Sequence, residues 1–362
     1  MKKRLVSLAI ILILLVGMAP AVQAQGEDNY LVCGNLPEAD CAILLASAMA
    51  SDDVSSADMS FTMDLTLSGL AAVAAMFGAS PDEAPAGDVS FTIDGGGPFM
   101  LDTAAMPPMK GSFEFTFSGT DGSSREEGSV GVVILDGIIY IRDENGQWEG
   151  MTFEDLLESD PTTAGMLEGL LGGESSELPE GALNPQDLMG GNTAELLEAA
   201  GLGPEALELV KTPGFITVTR LNDVDMMGQK MYVFETRLDT TPLFNSPDFQ
   251  ALLNQALTAA ASEDDEMAGM AMMVPMLLSS TTINVTATQM IGATDMIQHG
   301  LTVNLVATLD LSTMMAASGG QSQGQPQMPP LVLEVNMEIL LDKVNQPFTI
   351  TAPAGATMVK PS

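Results

Sequence analysis

The sequence predicts an α+β fold: a curved antiparallel β half-barrel of about ten strands, with helices packed on its concave face. Three observations carry this. Apolar and polar residues alternate in many short runs, as where Phe61, Met63, Leu65 and Leu67 interleave with Ser60, Thr62, Asp64 and Thr66; that period marks a half-buried strand. The runs fall into groups separated by text of helical period. A twisted sheet of that many strands tends to curl, and curling around inserted helices makes a half-barrel.

Lys2, Lys3 and Arg4 precede the apolar run Leu8–Val16, and Ala21–Ala24 reads AVQA. A basic start, a short apolar core and small residues before a cut predict a secretory signal peptide over residues 1–24, cleaved after Ala24; the alternative is a retained N-terminal anchor. The apolar core is too short for a spanning helix. No cysteine follows it at lipobox distance, since Cys33 lies too far on. The expected mature chain, 25–362, is therefore secreted, extracellular or periplasmic, with no stable membrane insertion.

Composition excludes several classes. The chain has 48 acidic and 12 basic residues, a formal charge of −36, and removing the signal takes only basic ones. Such a surface repels nucleic acid and anionic headgroups. Hydrophobic residues make up 46% of the chain, enough for a large core, and the length allows one large domain or two small ones.

The elements follow in order. Cys41, Leu44, Leu45, Ala48 and Met49 share one face of a helix, and Pro37 suits its first turn. Cys33 and Cys41, as the two cysteines of a secreted chain, predict one local disulfide. Strands follow around Val89–Ile93 and Phe113–Phe117, with Gly95–Gly97 taken as a turn. Asp136-Gly137, between β-branched runs, predicts a tight hairpin with Tyr140 on the returning strand; Asn145-Gly146 turns the chain again before Trp148. A helical insertion near 152–211 opens with Thr152 as cap and Asp155 at its third position. Strands return at Phe215–Leu221 and Lys230–Leu238, joined across Met227-Gly228. A second helical insertion near 246–278 has Ser246 as cap, Pro247 in its first turn, and the stripe Phe249, Leu252, Leu253, Ala256 and Leu257. Three long strands, Thr281–Met290, Leu301–Leu311 and Leu331–Leu341, close the chain, the last two joined by a flexible loop, 312–330.

Catalytic chemistry is sparse. Histidine occurs once, at His299, in a Gln-His-Gly turn where a surface position is expected, so neither a His-rich metal site nor a Ser-His-Asp arrangement can be assembled. Phosphate-binding glycine loops are missing. The acidic run Glu263–Glu266 lacks EF-hand spacing. No cofactor and no enzymatic activity are expected. The 27 methionines fit two readings, filler of an irregular helix–sheet interface or lining of an adaptable apolar cavity.

Asp136, Gly137, Tyr140 and Trp148 in the hairpin, then Asn345, Pro347, Ile350 and Pro353 near the end, together with the order of elements, resemble the LolA-like group, particularly the LppX/LprG-type lipoprotein and lipid carriers. The resemblance implies a single domain, a half-barrel whose open side is plugged by helices, and an apolar cavity for acyl chains, with Trp148 capping the core. The chain departs from the group in lacking the lipobox cysteine and in its longer insertions. On that reading Phe249, Leu252, Leu253 and Leu257 face the concave side, Met270, Met273 and Leu277 extend that face, and Leu156 and Leu157 meet it from the first insertion. The expected function is a non-enzymatic binder or carrier of a lipid or other hydrophobic small molecule; the alternative is an extracellular or envelope structural or protein-interaction module.

Overall fold

The computed structural model describes residues 33–51, 53–71, 73, 87–101, 109–120, 122, 124–142, 145–153, 155, 212–251, 253, 278–312 and 328–359. The alternating runs become one sheet. Its strands are β1 (Ser56–Ser68), β2 (Val89–Leu101), β3 (Met109–Thr120), β4 (Arg125–Leu135), β5 (Ile138–Arg142), β6 (Trp148–Thr152), β7 (Ile216–Arg220), β8 (Val224–Met226), β9 (Gln229–Asp239), β10 (Thr281–Gly292), β11 (Gln298–Leu309), β12 (Leu331–Asp342) and β13 (Thr357–Met358). Among the described residues it is accompanied by α1 (Glu38–Ser51) and α2 (Thr240–Phe244), and by shorter helical turns such as 247–251. Among the described residues no helix is long and apolar enough to cross a membrane.

The strand order is β13-β6-β5-β4-β3-β2-β1-β12-β11-β10-β9-β7, with β8 on β9. Two meanders, one from each half of the chain, are thus welded where β1 pairs with β12. The α+β class and the dominant sheet agree with expectation. Among the described residues thirteen strands stand where about ten were expected, the additions being β6, β8 and β13. The sheet is mixed, because β13 runs parallel to β6.

Local chemistry explains the turns. Asp136 and Gly137 have φ of 50° and 78°, and Met227 and Gly228 of 52° and 77°, the paired positive values of tight hairpins. Thr152 Oγ1 accepts from the Asp155 backbone N–H at 3.0 Å and donates to its carboxylate at 2.7 Å, the expected cap; the rest of that insertion, up to residue 211, lies outside the described residues. Gly95–Gly97 is not a turn but the middle of β2. Gly96 and Gly97 sit at φ 151° and 150°, a region only glycine occupies readily, and a Cβ on either would overlap backbone of β1 or β3.

The fully buried core lies under β1–β5. It includes Phe61, Phe99, Phe113, Phe115, Val132, Ile134 and Ile139. A second cluster joins Leu44 of α1 to Val218, Phe234 and Ile291. The Cys33–Cys41 disulfide is present, with the Cα atoms 5.1 Å apart. The buried face of α1 runs through Leu44 and Ser47, whereas Met49, expected on it, is 75% exposed.

Two further expectations are corrected. Trp148 pairs with Arg142 and lies over Gly131 on the polar face of the sheet, with the Arg142 guanidinium 5.7 Å from its ring. It does not cap the core, because even-numbered residues of β6 point away from the face that carries Met151. His299 is 5% exposed and belongs to β11; its polar partners come from three other segments, which a turn position in the sequence could not reveal.

Candidate functional site

The register sets the site. In β1, β12, β11 and β10 the odd-numbered residues share one face. Successive rows across it read Phe61–Ile339–Leu301, Met63–Met337–Val303–Ala287, Leu65–Val335–Leu305–Val285 and Leu67–Leu333–Ala307–Ile283. On the other side of β1 the rows continue into Ile93 and Phe91 of β2 and Phe117 of β3. The opposite face is polar: Asp64 aligns with Asn336, and Asn336 with Asn304, while Glu334 and Glu338 are exposed.

Burial along this apolar face is graded. Where the strands meet Ala57, Phe61 and Phe99 it is closed core. Toward Leu67, Val89, Leu333 and Ile283 the same kind of side chain is only half-buried. Among the described residues the apolar face is therefore less buried at that end.

At that end lies a cleft of about 320 Å³, bordered by Phe244, Phe249, Leu253 and Leu278 and by the uncharged polar residues Thr241, Asn245, Gln250, Ser279, Thr281 and Thr282. α2 shapes one wall. The Asp239 carboxylate caps it by accepting from the Thr241 backbone N–H at 2.8 Å, and Thr240 Oγ1 accepts from Ile283 N at 3.0 Å, fastening the helix to β10. The Phe244 and Phe249 rings stand 5.5 Å apart. Ser246 begins the next helical turn, its carbonyl accepting from Gln250 N at 3.1 Å, as its capping position predicts.

Of the ligand-contacting residues expected from the sequence, Phe249 and Leu253 both border this cleft. Leu156, Leu157, Leu252, Leu257, Met270, Met273 and Leu277 lie outside the described residues. The site residues expected from the sequence all belong to the helical insertions, facing the sheet, and none lies on the sheet itself. Its signal was present in the unbroken odd-numbered apolar positions from 331 to 341 and from 301 to 309.

These features define a class: an open α+β sheet with one apolar face that is half-buried at one end. No protein-family model matches the chain, and no curated protein sequence matches it. Among solved structures, it is similar to LprF from Mycobacterium bovis, at 10% identity over 87% of this chain and 96% of that one, with a TM-score of 0.32. It is also similar to the Mycobacterium tuberculosis lipoprotein LppX, at 8% identity over 86% and 97%, with a TM-score of 0.27. LppX belongs to the group that the hairpin and C-terminal motifs resemble.

Proposed function

We propose that the protein is a secreted, non-enzymatic binder or carrier of hydrophobic molecules, and that the sheet curves as a half-barrel around its ligand. The observation that supports this is the apolar face of β1, β12, β11 and β10, half-buried toward the end where Phe249 and Leu253 border a cleft. An apolar chain laid along it gains about 0.8 kcal/mol per buried methylene, which offsets ordering costs for a chain of modest length. Leu252, Leu257, Met270, Met273, Leu277, Leu156 and Leu157 complete the contact surface in this reading. The uncharged polar rim of the cleft suits the head of an amphiphile.

The experiment is titration with a fluorescent acyl probe. Wild type should bind it at micromolar concentration. Leu253→Trp, which fills the cleft, and Leu305→Asp, which puts a charge on the apolar face, should each weaken binding about tenfold or more while the far-ultraviolet spectrum is retained. Absence of probe binding by folded wild type would sink the carrier reading and favour the interaction module.

A further inference from the structure

At the end of β10 and β11 remote from the cleft, a polar cluster around the buried His299 plays no part in the site above. Met290 pairs with Gly300 and Ile291 with Gln298, so His299 is the extra residue of a β-bulge, a device that re-aims a side chain. Its Nδ1 lies 3.0 Å from the Leu341 carbonyl oxygen of β12. Its Nε2 lies 2.9 Å from Asp295 Oδ2, in the β10–β11 turn, and 3.0 Å from Gln229 Nε2, on β9. The Gln229 amide also donates to Asp295 Oδ2 at 3.2 Å and accepts from the Thr294 hydroxyl. Asp295 Oδ1 accepts from Ile297 N at 3.1 Å. Gly292 makes room, since a Cβ there would overlap Asp295 Oδ1 and press on the Gln229 amide.

The partners of His299 make incompatible demands. A carbonyl only accepts, so Nδ1 carries a proton in either charge state. Nε2 faces a carboxylate that accepts and an amide nitrogen that donates; a protonated Nε2 satisfies the first and a bare one the second. We propose that His299 is a proton-operated latch: as imidazolium it grips Asp295 and holds turn 293–297 to the sheet, and as neutral imidazole it accepts from Gln229 and releases the turn.

His299 is the single histidine in the chain and both cysteines are bridged, and histidine is the side chain whose charge ordinarily changes near neutral pH. The other charged groups on the packed elements are engaged elsewhere or exposed: Lys230 of β9 pairs with Asp223, and Asp342 and Lys343 at the end of β12 are exposed, Lys343 bonding Asp58. Asp295 stays ionised throughout. Burial pushes its carboxyl up, but hydrogen bonds from His299, the Ile297 backbone N–H and Gln229 outweigh this and hold it below the usual carboxylate range.

Histidine-¹⁵N labelling gives a single imidazole to follow in the full chain. From pH 5 to 8, Nε2 should lose its proton while Nδ1 keeps it. Exchange of the Gly292 and Ile297 amides should rise roughly tenfold to a hundredfold beyond the intrinsic base-catalysed increase, as fits loss of one charge-assisted bond. Asp295→Asn should remove that excess. A proton lost from Nδ1 instead, or turn amides whose protection is unchanged between pH 5 and 8, overturns the latch. Both readouts come from the wild type, so they decide the matter whether or not the variant folds.

Discussion

Asn345 shows how one residue of the C-terminal motif acts. It sits at φ 58°, a conformation Asn tolerates better than most side chains. Its Oδ1 accepts from Ser55 N at 2.7 Å and Ser55 Oγ at 2.9 Å, and its own N–H donates to Ser56 O. It therefore ties the end of β12 to the start of β1, where the two meanders join. Asn345→Ala should cost about 1–2 kcal/mol in urea unfolding, and Asn345→Gly, which keeps the backbone free, less. Acid should act on other residues. The hydrogen bond from Arg220 is the largest influence on Asp223; with those of Lys230 it outweighs desolvation and holds the carboxyl below the usual range, as Asp295 is held. A carboxyl lowered on folding stabilises fully above its unfolded value, about 3.9, and loses that contribution as pH falls through the folded value. Asp223→Asn should therefore flatten the fall of the thermal midpoint below about pH 4 and leave the slope near neutrality unchanged.

At the scale of elements, glycines and aromatic rings pair across strands: Phe91 with Gly119, Phe115 with Gly95, Phe117 with Gly128 and Tyr140 with Gly150. Each ring opposes a position without a side chain, a device that restores packing where glycine lets strands bend. Gly128→Val should collide with the Phe117 ring and cost roughly 1–3 kcal/mol. Gly146, at φ 79° with nothing within 4 Å of a Cβ, isolates backbone strain from sterics, and Gly146→Ala should cost only about 1 kcal/mol. Urea midpoints of the two variants make the comparison. The sheet's edges are also managed. At β7 the disulfide-closed segment lies alongside, with Asn35 Oδ1 accepting from Val218 N at 3.1 Å. At β6 the chain returns as β13, and Val359 N donates to Gly150 O at 2.8 Å. Covering an edge in this way blocks pairing with other chains. Reducing the disulfide should remove about 2–3 kcal/mol, seen as a lower unfolding midpoint with dithiothreitol.

At the scale of the whole chain the dominant quantity is charge, while across β1, β12 and β11 polar and apolar residues lie on opposite faces of the sheet. A formal charge of −36 repels itself in the compact state. The thermal midpoint should therefore rise as sodium chloride is raised from a few millimolar, and level off near about 0.15 M, where the screening length is about 8 Å.

By itself the sequence determined the α+β class, the hairpins at Asp136-Gly137 and Met227-Gly228, the Thr152 and Ser246 caps and the cysteine pairing. Each of these is a local matter of dihedral preference, capping or nearest-neighbour chemistry. The alternating runs also carried the apolar face, but alternation says only that a strand has two sides. Which strands stand beside each other, and therefore that Leu65, Val335, Leu305 and Val285 form one row, is decided by the pairing of β1 with β12 across the length of the chain. Tertiary structure alone decided the place of His299, whose partners Asp295, Gln229 and Leu341 come from a turn and two other strands. It likewise put Gly95–Gly97 inside a strand and Trp148 on the polar face. In each case a non-local contact outweighed a local preference, because burial and ladder hydrogen bonds act on residues far apart in sequence, where local pattern is blind.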